Sequence, residues 1–202
     1  APEESDTAFM RRLLEIERSD YWRQFEEGNI GRQAAFVLSR SVEHALDNNP
    51  IIAPRDFLEE HFKVPESPKW LPKVPVIGTT MEQWLFSQLS LSYDIARGFV
   101  TAQEEMRSHI RILQPNEKTG NNIETMIDYN CSQAFGFTRH VNREYPDIIL
   151  QLQDRSAKRI LLNHERSLIW KMQHEGILET AEAQHLIDDI ESRMQSLRKE
   201  RN

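Results

Sequence analysis

The chain has 202 residues, of which 39% are hydrophobic and 28% charged, and its formal net charge is −7. This composition excludes a disordered chain, because nine Phe, four Trp and four Tyr can build a core, and the negative charge argues against nucleic acid as a partner. No apolar run is long enough to span a membrane, and the single Cys131, with small or apolar neighbours, excludes an intrachain disulfide framework and predicts a buried thiol.

The first quarter of the chain predicts a pair of helices. Residues 1–6 are acidic and are predicted to be disordered. Across residues 7–49 apolar side chains recur every three or four positions, which is typical of amphipathic helices. The sequence Glu27-Gly28-Asn29 predicts the end of the first helix, because glycine commonly terminates helices.

Residues 50–78 predict a short helix followed by an extended crossing. Pro54 can occupy the first turn of a helix that ends near Phe62. Residues 63–78 contain four prolines, so this part is predicted not to be helical. Its three lysines flank Trp70, which leaves two interpretations: a connector pinned to the domain, or a surface for anionic lipid of the inner leaflet or an acidic partner.

Residues 79–113 predict a long central helix. Its first half is apolar on nearly every side and is expected to be enclosed, whereas its second half carries a single apolar stripe. Gly98 lies in its middle, where glycine costs about 1 kcal/mol relative to alanine. We therefore expect the backbone of another helix to come close at Gly98.

Residues 122–200 predict helical hairpins. Asn121 or Asn122 would cap a helix that stops at Tyr145, a second helix would end at Gly176, and a third would start near Thr180 with a short heptad-like stripe. No segment shows the alternation typical of a strand. The sequence predicts one all-α domain over residues 1–202, a bundle of six or seven helices.

Patterns for catalysis and metal binding are incomplete. His164 and Glu165 begin like the zinc motif HExxH, but Leu168 stands where the second histidine is needed. The pair Glu182 and His185 is one Glu-x-x-His motif, whereas a di-iron bundle needs two. We predict no enzyme activity, no cofactor and no metal site, which leaves a helical metalloenzyme as the weakest alternative.

The first helix pair resembles the segment that follows the transmembrane part of plasma-membrane sodium/proton antiporters of the plant salt-tolerance type. In both, an aromatic pair leads into an acidic residue and glycine, and then into a Ser-Val-x-x-Ala-Leu-Asp-like run. The matching residues here are Tyr21, Trp22, Glu27, Gly28, Ser41, Val42, Ala45, Leu46 and Asp47.

Two later segments extend this resemblance over most of the chain. The long helix, with Glu82, Ala96, Phe99 and Ala102, is similar to the next long cytosolic helix of these antiporters. The segment from Tyr145 to the corner at Gly176 is similar to the helical pair that precedes a cyclic-nucleotide-binding-like domain. The ion-binding aspartates of the transport unit have no counterpart in this chain.

The resemblance implies a non-catalytic regulatory and dimerisation domain on the cytoplasmic side of the plasma membrane. It would couple cytosolic signals to the transmembrane domain of the same antiporter, form a homodimer and lead to a cyclic-nucleotide-binding-like domain. The alternative is a free-standing helical adaptor that binds another protein. The predicted interaction residues are Tyr21, Trp22, Lys63, Lys69, Trp70 and Lys73.

Overall fold

The computed structural model describes residues 2–47, 55–64, 75–114 and 116–199, and the side chains of 6–47, 55–64, 83–114 and 116–197. These residues form seven α-helices, one 3-10 turn and no strand, which confirms the predicted all-α bundle. The helices are α1 (Pro2–Glu26), α2 (Arg32–Asp47), α3 (Asp56–Glu59), α4 (Pro75–Leu113), α5 (Glu117–Glu144), α6 (Pro146–His174) and α7 (Thr180–Lys199), and the turn is Glu60–Phe62.

Three helices begin earlier than the sequence predicts. Helix α1 begins at Pro2 rather than after residue 6, and α4 begins at Pro75 rather than at residue 79. Proline suits a first helical position because its missing N–H has no helical partner there. Helix α5 begins at Glu117, because the Asn116 side chain accepts a hydrogen bond of 2.9 Å from the Thr119 N–H and caps the helix before the predicted asparagines.

Two glycines end helices as predicted. Gly28 has φ +81° after α1 and Gly176 has φ +73° after α6, values in the left-handed region that favours glycine. At Gly28 there is also no room for a side chain, since an added Cβ would lie 2.1 Å from Nδ2 of Asn163 on α6. The α1–α2 turn therefore packs directly against α6.

Helix α4 is the centre of the bundle and is roughly 58 Å long at 1.5 Å per residue. The expectation that its first half is enclosed is wrong for its described residues, since Trp84 is 48% exposed and Ser87 and Gln88 are exposed. Leu89 in the same half is fully buried, as are Ile95 and Met106 farther along the helix. One side of its first half thus remains on the surface.

Gly98 lies where α4 is tightly packed against α1, α2 and the turn between them, but the prediction that a helix backbone approaches it is wrong. A Cβ at this position would lie 3.0 Å from Cγ2 of Ile30 and 3.0 Å from Cδ1 of Leu38. The buried Gln24 of α1 donates a hydrogen bond of 3.0 Å to the Gly98 carbonyl. The neighbours are side chains rather than another backbone.

The hydrophobic core has two parts. The larger part joins α1 to α5 and includes only the first turns of α6, through Ile149 and Leu152. The smaller part lies between α6 and α7 and is formed by Leu162, Ile190 and Leu197. The distal half of the α6–α7 hairpin therefore depends on few apolar contacts of its own.

Candidate interaction surfaces and the Arg159 clamp

An open apolar groove lies between α1, α2 and α4. Its volume is about 860 Å³, and we call it the aromatic groove. Two of its aromatic side chains remain on the surface, Trp22 at 43% and Phe36 at 56% exposure. Its apolar lining consists of Trp22, Phe25, Phe36, Val37 and Leu91.

The polar edge of the aromatic groove has one basic residue, Arg32, and three uncharged ones, Gln33, Ser87 and Gln88. The described lining contains no acidic residue. The Arg32 guanidinium lies 5.8 Å from the centre of the Phe25 ring. Arg32, Phe36 and Arg40 are spaced four residues apart on α2, so they share one exposed stripe. The four-residue spacing is present in the sequence, but the interaction residues predicted from the sequence do not include this stripe.

The predicted aromatic pair is divided between the core and the surface. Trp22 lines the aromatic groove, whereas Tyr21 is fully buried and donates a hydrogen bond of 2.5 Å to Oε1 of Glu17. The other carboxylate oxygen of Glu17 lies 2.5 Å from Nη2 of the buried Arg55. Burial and the neighbouring charge of Glu17 raise the pKa of Tyr21 well above its usual value. Tyr21 presents no surface to a partner in this conformation.

The remaining predicted interaction residues lie in or before the proline-rich segment. Lys63 is exposed, and its Nζ lies 3.7 Å from Oε1 of Glu59. Lys69, Trp70 and Lys73 lie outside the described residues. The lipid contact predicted for residues 63–78 therefore stays a prediction.

A polar clamp around Arg159 joins α6 to the α1–α2 turn and to α4. Its guanidinium donates hydrogen bonds to the carbonyls of Gly28 (2.6 Å) and Asn29 (3.0 Å). It also lies 3.2 Å from Oδ2 of Asp94, which accepts the backbone N–H of Gly31 at 2.8 Å. These contacts, which we call the Arg159 clamp, connect α6 and α4 with the turn between α1 and α2.

The outer face of α6 carries an apolar stripe away from both cores. Its exposed members are Leu150, Ala157, Leu161 and Leu168. Their spacings of seven, four and seven residues place them on one side of the helix. Lys158 and Glu165, which flank the stripe, pair within the chain with Asp154 and Arg193. The stripe is a second candidate contact surface.

Cys131 is a core residue, as predicted, rather than a reactive thiol. Burial, together with the nearby carboxylate of Glu104, raises its pKa from 9.0 to about 11.

Within the described residues, no group of three or more His, Cys, Asp or Glu side chains is placed to hold a metal ion. None of the described helices is long and apolar enough to cross a membrane.

Comparison with known proteins finds exchangers among the relatives. No family model matches the chain. Sodium/hydrogen exchanger 8 of Arabidopsis thaliana is 24% identical over 188 residues, and sodium/hydrogen exchanger 7 of the same plant is 22% identical over 187 residues. Each match covers 92% of this chain, which spans 25% of exchanger 8 and 16% of exchanger 7. The similarity supports an antiporter-related domain, whereas the plasma-membrane, salt-tolerance type stays a prediction.

Proposed function

We propose that the chain is a non-catalytic regulatory and dimerisation domain of a sodium/proton antiporter. It lies on the cytoplasmic side of the plasma membrane and couples cytosolic signals to the transport unit of the same protein. The similarity to two sodium/hydrogen exchangers along nearly the whole chain supports the relation to antiporters. The regulatory role rests on the Arg159 clamp.

The Arg159 clamp supports coupling because it links the two ends of the bundle. In the proposed protein, α1 follows the transport unit and α7 leads toward a cyclic-nucleotide-binding-like domain. The guanidinium on α6 holds the backbone of the α1–α2 turn directly, at Gly28 and Asn29. A displacement of the α6–α7 hairpin is therefore passed to α1 through hydrogen bonds to a charged group, which are stronger than neutral ones.

The dimer contact is assigned to the apolar stripe of α6, with a second copy of the chain as its occupant. A two-fold axis perpendicular to α6 pairs this helix with its copy in antiparallel orientation. If the axis passes beside Leu161, Lys158 of one copy faces Glu165 of the other, because the two residues lie about equally far from Leu161 on opposite sides. The flanking charges are thus self-complementary, while Leu161 and Leu168 supply apolar contact.

Sedimentation velocity of the 202-residue chain tests the dimer. We expect a dimer for the wild type, a monomer for Leu161→Glu, and an unchanged dimer for Ile112→Glu, since Ile112 is 80% exposed on α4. A wild type that stays monomeric at high concentration contradicts the dimer. Equal behaviour of the two variants contradicts the stripe as its contact.

The coding sequence around this chain distinguishes the antiporter domain from the free-standing adaptor. A preceding series of hydrophobic membrane-spanning segments in the same reading frame supports the antiporter. An initiator methionine directly before Ala1 supports the adaptor and overturns the proposed function.

A further inference from the structure

We propose that the aromatic groove is a binding site for an anionic phospholipid of a bilayer. The groove takes the apolar part of the lipid, and Arg32 and Arg40 bind the phosphate. The inference rests on the proposed function in one respect, that the domain lies beside a membrane. Neither residue belongs to the segment 63–78 for which lipid contact was predicted from the sequence.

Large aromatic rings are exposed at and near the aromatic groove. Trp22, Phe36 and Trp84 are each about half exposed, and two of them line the aromatic groove. Clustered exposed apolar side chains mark interaction sites, and tryptophan is enriched where proteins meet the membrane–water boundary. The groove has the volume of a small-ligand site and is open to the surface, so a lipid can enter it without leaving its bilayer.

The charge beside the exposed rings is positive. Among the described residues neither Arg32 nor Arg40 pairs with a carboxylate, and both guanidiniums lie over aromatic rings. By contrast, Arg23 and Arg107 each contact two carboxylates. Two guanidiniums without acidic partners, next to a lining without acids, favour an anionic ligand.

The same charges disfavour a second copy of the chain as the occupant. In a two-fold contact through the aromatic groove, the stripe of Arg32 and Arg40 would face its own counterpart. Like charges brought together in an interface are unfavourable. The groove and the stripe of α6 therefore suit different partners.

Co-flotation of the chain with vesicles tests the lipid site. We expect binding to vesicles of equal parts phosphatidylcholine and phosphatidylserine, loss of binding on phosphatidylcholine alone, and weakening as salt rises toward about 0.15 M. The double variant Arg32→Ala/Arg40→Ala should bind about 30-fold more weakly, since each arginine near an anionic surface raises the affinity about fivefold. Phe36→Ala should bind about tenfold more weakly.

Matched controls separate the groove from general charge and hydrophobicity. Arg111→Ala/Arg139→Ala removes two exposed arginines elsewhere, and Phe135→Ala removes a ring that is exposed on α5. Both should bind like the wild type. Equal loss in control and groove variants, binding to neutral vesicles, or no binding at all overturns the lipid site.

A further outcome assigns the aromatic groove to a second copy. In that case the groove variants abolish self-association in sedimentation while vesicles are ignored, and the lipid proposal is wrong. Each of these failures leaves the relation to antiporters standing, because that is judged by the coding sequence. The last outcome would also move the dimer contact from the stripe of α6 to the aromatic groove, and Leu161→Glu would then remain a dimer.

Discussion

Asp94 on α4 and Arg159 on α6 approach within 3.2 Å, although 65 residues separate them in the chain. Both side chains are mostly buried, at 14% and 20% exposure. The Asp94 carboxylate also accepts the N–H of Gly31, the residue that precedes α2. One ion pair therefore fixes the start of α2, the end of α1 and the middle of α6.

Replacing Arg159 by alanine should destabilise the chain by about 2 kcal/mol, since it removes charge-assisted hydrogen bonds and leaves Asp94 without its cation. Urea unfolding measures the loss. Hydrogen exchange should show the amides of α6 opening before those of α4, because the distal hairpin has little core of its own.

Lys171→Ala is the matched control, since it lies on the same helix, its side chain is 69% exposed and its ion pair with Glu175 lies on the surface. Exposed pairs contribute at most about 1 kcal/mol. If Arg159→Ala unfolds at the same urea concentration as Lys171→Ala, the clamp does not hold the hairpin.

Gly98→Ala should destabilise the chain, although alanine is the better helix former by about 1 kcal/mol. The added Cβ would meet Ile30 and Leu38 at 3.0 Å, and both side chains are buried in the core, so the core must repack to admit it. Gly136→Ala on α5 is the control, because nothing lies within 4 Å of its added Cβ. Thermal unfolding should show a lower Tm for Gly98→Ala and a higher Tm for Gly136→Ala. A higher Tm for both variants would contradict the tight packing at Gly98.

The elements that local patterns determine could be predicted from the sequence. The terminating glycines Gly28 and Gly176 depend on one residue type at one position in a helix pattern. The helices that start at Pro75 and Glu117 begin earlier than the sequence predicts, because proline also fits the first turn of a helix and Asn116 caps α5 ahead of the two later asparagines.

The candidate sites could not be predicted in the same way. Nothing in the sequence pairs Asp94 with Arg159, since residues that are far apart meet only through the tertiary fold. Apolar periodicity also does not show which apolar side chains remain uncovered. Trp22, Phe36 and Leu161 follow helical patterns like those of core residues, yet the fold leaves them exposed.

Tyr21→Phe should change how stability depends on pH. The pKa of Tyr21 is raised in the folded chain, chiefly by burial, so the folded state holds this proton more tightly than the unfolded state. Its contribution is present below about pH 10 and is lost as the pH rises toward the higher folded value. Phenylalanine has no such proton, so urea unfolding of the variant should show a shallower decline above pH 10.

At neutral pH the same variant should be less stable by about 1–3 kcal/mol, because Glu17 loses a buried donor. An unchanged alkaline decline together with unchanged neutral stability would mean that Tyr21 does not bind Glu17 as described.

Cys131 should react slowly with iodoacetamide in the folded chain. With its pKa raised from 9.0 to about 11, the thiolate fraction at pH 8 falls roughly 100-fold, and burial lowers access further. Mass spectrometry should show at least that difference in rate between the native chain and the chain in urea. Comparable rates would contradict a buried thiol.

Sodium-driven proton movement through the proposed antiporter tests its regulation by this chain most directly. Vesicles containing equal amounts of folded wild type, Arg159→Ala and Lys171→Ala would be compared. A coupling domain predicts an exchange rate altered several-fold by Arg159→Ala and unaltered by Lys171→Ala. The same rate for all three proteins, and again after deletion of residues 2–199, would contradict a regulatory role.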